Sequence, residues 1–178
     1  MASSLEAKGE DLLSPHSRPG PLTASNTLVG SRLIRVSRKW SLQEYADRHV
    51  LVYGTGNIVD GQWPERNIHS DAEAARREGL AGAVASAPQI IALIMRMMAL
   101  SFGSPWMFGG SIDVKMIKPL LVDTLVTTWG EVTSLEARHG DSDKTFVKVL
   151  CEVRAELLDG VPVMVGVTSV QLPVSPAR

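Results

Sequence analysis

SAPQIIALIMRMMALSF, residues 86–102, is the stretch on which the fold turns. It opens with Ser86-Ala87-Pro88-Gln89, a serine followed three residues on by a glutamine. That spacing marks a helix start, where the two side chains can satisfy N–H groups that lack an intrahelical partner. Pro88 is tolerated there because the first turn needs no donor from it. From Ile90 the apolar residues Ile91, Leu93, Ile94, Met95, Met97, Met98 and Leu100 cover almost the whole circumference. Such a helix is expected to be buried rather than to lie on a surface. It carries Arg96 and is far too short to span a bilayer.

Beyond Gly103 the apolar period changes from helical to alternating, and strands are expected over Trp106–Lys118, Thr124–Ala137, Phe146–Leu157 and Val161–Val170. The third alternates best: Val147, Val149, Cys151, Val153 and Ala155 face one way, and Lys148, Glu152, Arg154 and Glu156 the other. Asp159-Gly160 reads as a two-residue hairpin turn into the last strand. Upstream, Thr27–Ser37 reads as a first strand. Ser41-Leu42-Gln43-Glu44 forms a capping box before a helix to about Val50. The same pattern recurs at Ser70-Asp71-Ala72-Glu73, opening a short helix that ends near Gly79. Residues 1 to about 25, rich in Ser, Pro and Gly, are expected to stay mobile or wrap the surface, leaving 26–178 as one domain. One apolar helix followed by a meander of strands implies an α+β layout with the sheet wrapped about the helix.

The 178 residues suffice for a substantial core, and a formal net charge of −1 supplies no basic field for nucleic acid or an anionic membrane. A single cysteine, Cys151, excludes an internal disulfide and a multi-cysteine zinc site. His16, His49, His69 and His139 show no ligand spacing, so no metal is expected. Without a hydrophobic signal core at the N-terminus, the expectation is a soluble, cytoplasmic protein.

The segment Asn67-Ile68-His69-Ser70-Asp71-Ala72-Glu73-Ala74-Ala75-Arg76-Arg77-Glu78-Gly79-Leu80 resembles the MaoC-like hydratase signature, an Ile-His-x-Asp followed by a short alanine-bearing helix. Ser86-Ala87 falls seventeen residues after His69, where that family places the His-Gly that opens its central helix. Lys118-Pro119 before Val122-Asp123-Thr124 resembles the family's turn into its third strand. The resemblance covers roughly residues 27–172. It implies a hotdog fold, a homodimer with active sites at the subunit interface, no cofactor, and reversible hydration of an acyl thioester carried by coenzyme A or an acyl carrier protein. Three positions depart from the family. Its catalytic aspartate, five residues before the histidine, is Pro64 here; its Asn-Pro is Arg66-Asn67; and its His-Gly is Ser86-Ala87.

Hydration of an enoyl thioester needs a base for water, an acid for the α-carbon and donors for the enolate-like oxygen. His69, just ahead of a capped helix, is the expected proton carrier. Asp60 and Glu65 are the carboxylates that stand in for the missing aspartate. At the start of the central helix, Ala87 N–H and, second, Gln89 are the expected oxyanion donors, with Ser86 a cap and substrate contact. Without a carboxylate partner, two other readings stand beside the lyase. One is a cyclase or isomerase using a single acid/base histidine, and the other is a non-catalytic binding subunit.

Other motifs have plainer readings. Tyr53-Gly54-Thr55-Gly56 lacks the third glycine of a dinucleotide loop, and Gly109-Gly110 reads as a bend or bulge. Met95, Met97 and Met98 read as core. Arg32, Arg35, Arg38 and Lys39 form a basic strand face, with the phosphates of a thioester carrier as the functional alternative.

Overall fold

A computed structural model describes residues 21–45, 67–139 and 145–174. The strands are β1 (Ser37–Lys39), β2 (Ser111–Met116), β3 (Leu125–His139), β4 (Thr145–Leu157) and β5 (Pro162–Pro173). The helices are α1 (Ala72–Arg77), α2 (Ala87–Phe102) and α3 (Ser104–Gly109), and a helical turn covers 42–45. The sheet is antiparallel throughout, in the order β1-β3-β4-β5-β2. The expected meander is therefore confined to β3, β4 and β5, while β2 crosses to the far edge beside β5.

The expected sheet about a central helix is what forms. On α2, Ile90, Leu93, Ile94, Met97, Met98 and Phe102 are buried in one core with Val132 of β3, Val149, Cys151, Val153 and Ala155 of β4, and Val163, Val170 and Leu172 of β5. The alternation read along β4 thus decides which face meets the helix. The helix is not covered all round, however. Ala92, Met95 and Arg96 are exposed, so Met95 leaves the core group to Met97 and Met98. These positions share the side of α2 that faces away from the sheet.

Two strand expectations are corrected. Thr27–Ser37 is not a strand until Ser37; before it the backbone touches β3 at an isolated Arg32–Glu131 bridge. Its N–H groups are satisfied piecemeal: Leu33 donates to Gly130 O at 2.9 Å, Ile34 to Ser101 Oγ at 2.9 Å and Val36 to Thr128 Oγ1 at 2.9 Å. Hydroxyls on α2 and β3 replace a continuous ladder, and Leu33 and Val36 are buried at a three-residue spacing that a pleated strand does not give. Trp106–Lys118 likewise divides into α3 and β2, because Trp106 turns inward on a helical turn and Gly110 passes directly beneath its ring. The Gly109-Gly110 pair is the end of that helix.

The Asp159-Gly160 hairpin forms as a longer loop than expected: Leu157 N–H donates to Val161 O, Gly160 N–H donates to Leu157 O, and Gly160 takes φ 80°. That is a type I turn closed by a left-handed glycine. The end of the N-terminal segment is also tied down. Leu22 N–H donates to Ser101 O at 2.7 Å, and Leu22 and Ala24 pack on the core. The exposed side chains of Arg32, Arg35 and Lys39 accord with the solvated reading of the basic run, and Arg38 pairs with Glu44. Among the described residues, no helix is long and apolar enough to cross a membrane.

Candidate active site around His69

Asn67 builds the turn that presents His69. Its side-chain oxygen accepts from the N–H groups of His69 at 2.8 Å and Ser70 at 3.2 Å. Its carbonyl accepts from Asp71 N–H at 2.9 Å. The helix that follows is capped by Asp71, whose Oδ1 takes the N–H groups of Glu73 at 2.7 Å and Ala74 at 2.8 Å. The cap therefore falls one residue later than the Ser70 box predicts, because Ser70 Oγ is engaged with Asn67. Asp71 is a helix-start residue.

The imidazole is oriented from the opposite side by the main chain that leads into α2. Val84 N–H donates to Ile68 O at 2.9 Å, and His69 Nδ1 lies 2.7 Å from Val84 O. A carbonyl oxygen only accepts, so Nδ1 carries the hydrogen and, in the neutral ring, Nε2 carries the lone pair. Residues 83–85 are in turn held by Leu120–Val122 through Ala85 N–H to Leu120 O and Val122 N–H to Ala83 O. His69 is thus tied to a segment that enters α2 three residues beyond its carbonyl partner.

At the tip of α2 the sequence-predicted donors separate. The Ser86-Gln89 capping box does not form, and Ser86 makes no side-chain cap. Gln89 N–H closes the first turn onto Ser86 O at 3.1 Å, so the backbone donor expected of Gln89 is already used. Ala87 N–H donates to no described residue and stays available to a ligand. Ser86 Oγ also has no described partner, whereas Ser86 N–H donates to the Tyr45 hydroxyl at 3.0 Å.

Tyr45 is the residue that sequence reasoning missed. It lies on the turn that starts at the Ser41–Glu44 box, which forms as expected: Glu44 N–H donates to Ser41 Oγ at 3.1 Å, and Ser41 N–H to Glu44 Oε2 at 2.8 Å. From there the Tyr45 ring stacks on His69, with centroids 6.1 Å apart and planes 22° apart, and its hydroxyl donates to Gln89 Oε1. A tyrosine one residue past a capping box carries no motif; only its contacts across 24 and 44 positions of sequence give it meaning. Asp60, Glu65 and Pro64 lie outside the described residues. No three or more His, Cys, Asp or Glu among the described residues are grouped to hold a metal ion.

Solved structures share this arrangement of sheet and central helix. A MaoC-like dehydratase from Rhodospirillum rubrum superposes with TM-score 0.64 at 17% identity, over 88% of this chain and 99% of that one. An (R)-hydratase from A. caviae involved in PHA biosynthesis gives 0.61 at 19%, over 84% and 100%. This is a hotdog fold. A monoamine oxidase regulatory protein from an Archaeoglobus species shares the fold too, with TM-score 0.65 at 15% identity over 89% of this chain and 99% of that one. No family model matches the sequence, and no curated protein does either. The fold is what these structures have in common with the chain; at such identities the chemistry rests on the residues in place here.

Proposed function

We propose that the protein is a lyase that reversibly adds water to the double bond of an enoyl thioester, with His69 as its proton carrier. The observation that carries this reading is the Nδ1–H bond of His69 to Val84 O, which leaves the lone pair on Nε2 of a ring tied to the segment that enters α2. In the hydration direction Nε2 takes a proton from water as the hydroxide adds to the β-carbon. The π electrons move onto the thioester oxygen, which Ala87 N–H holds with the help of the helix dipole. The imidazolium then returns its proton to the α-carbon, and the ring ends as it began. Asp60 or Glu65 orients the histidine or the water in this scheme, the thioester is carried by coenzyme A or an acyl carrier protein, and the working unit is a homodimer in the cytoplasm.

His69→Ala is expected to lower hydration of a short enoyl thioester by about 10²–10⁴-fold. Its melting temperature should stay near that of the wild type, since the half-buried ring leaves the Asn67 turn intact. Retained turnover in a folded His69→Ala protein rules the assignment out.

One observation favours a second reading. The described partner of the His69 ring is a carbonyl and not a carboxylate, so among the described residues the imidazole is a single acid/base group. Such a group suits a cyclase or isomerase on the same fold. A product of unchanged mass that takes up no oxygen from labelled water is the result that selects it.

A further inference from the structure

We propose that Tyr45 is a positioning residue that acts through Gln89. Its hydroxyl fixes the Gln89 side chain so that the amide Nε2 hydrogens, rather than the backbone N–H, are the second donor to the thioester oxygen. The inference rests on the hydration reading given above.

A phenol has one hydrogen to give. The Tyr45 oxygen already accepts from Ser86 N–H at 3.0 Å, and its own hydrogen goes to Gln89 Oε1. This pins the carboxamide by its oxygen and leaves both Nε2 hydrogens without a described partner. Tyr45 is only 7% exposed, so water is a poor substitute at its hydroxyl, although Ser86 and Gln89 are themselves half-buried. The same ring lies against His69. One side chain thus sets the imidazole, the α2 tip and the amide in a common frame. Backbone geometry removes the alternative, because Gln89 N–H is closed onto Ser86 O. An amide held this way needs no reorganisation as charge gathers on the thioester oxygen, so its contribution belongs to the transition state.

The test is Tyr45→Phe in the full chain, which keeps the ring and deletes the hydroxyl. With a short enoyl thioester, kcat is expected to fall about 10- to 100-fold with KM within about twofold. In a Gln89→Met background, adding Tyr45→Phe should change kcat by less than about twofold, since the amide it positions is already gone. A full additional loss there, or an unchanged kcat in Tyr45→Phe alone, overturns the proposal. If Tyr45→Phe does not fold, Gln89→Met alone carries the test, and an unchanged kcat is again fatal. Amide hydrogen exchange reads the bridge without catalysis: Tyr45→Phe should speed exchange at Ser86 and leave Met97 protected. Unchanged exchange at Ser86 refutes the Tyr45 bridge alone. A wild type that turns over no thioester refutes the hydration reading, and the donor role with it.

Discussion

At the scale of single residues, the chain sets a histidine oriented by the main chain beside a cysteine silenced by burial. Cys151 is fully buried on β4, and burial pushes its thiol from 9.0 to about 12, a hydrogen bond with Thr168 only partly opposing the rise. Such a thiol is inert to thiol reagents in the folded protein and reacts once the chain is unfolded. Below about pH 9 the thiol is protonated in both states and adds no pH dependence. Above that pH only the unfolded chain releases the proton, so stability falls on the order of 1 kcal/mol per pH unit as pH rises towards about 12. Denaturant melts between pH 8 and 11 on Cys151→Ala and the wild type check the difference in slope. The turn that carries His69 and the helix after it were legible from Ile-His-x-Asp because a turn and a cap are local events. Tyr45 was not, because a stacking partner 24 positions away leaves no trace in spacing.

At the scale of elements, close approach governs the far edge of the sheet. A Cβ on Gly166 of β5 would stand 2.1 Å from Asp113 O and 2.6 Å from Val114 Cα, both backbone atoms of β2. Gly166→Val must therefore displace β2, and a loss of about 1–3 kcal/mol is expected in denaturant melts. Exchange protection should fall along Ser111–Met116 before it falls in β3 and β4. A glycine in a strand gave no such warning in the sequence. The strands β3, β4 and β5 were readable because their period of two survives burial, as Val149, Cys151, Val153 and Ala155 show. The stretches before Ser37 and before Ser111 were misread because Leu33, Val36 and Trp106 join the core from backbone that is not pleated.

At the scale of the whole molecule, the proposed homodimer has a natural place to form. Among the described residues β2 pairs only with β5, and just before it Met107 and Phe108 are 68% and 91% exposed. An open edge beside large exposed apolar groups is a surface that another chain can complete. Phe108→Glu is expected to shift the species seen by sedimentation from dimer to monomer without changing the far-ultraviolet spectrum. An unchanged dimer would place the contact elsewhere. The order of the sheet could not be read in advance, since nothing in β2 itself states that it skips past β3 to join β5.

The bond from His69 to Val84 O has a consequence for how this protein can change over time. A side-chain partner vanishes with one substitution, but a peptide oxygen is supplied by whichever amino acid occupies position 84. Val84→Ala, Val84→Ile and Val84→Thr should all preserve the proton on Nδ1, readable from the nitrogen chemical shifts of the ring. Heredity of the tautomer is then secured by the path of the chain and not by any codon.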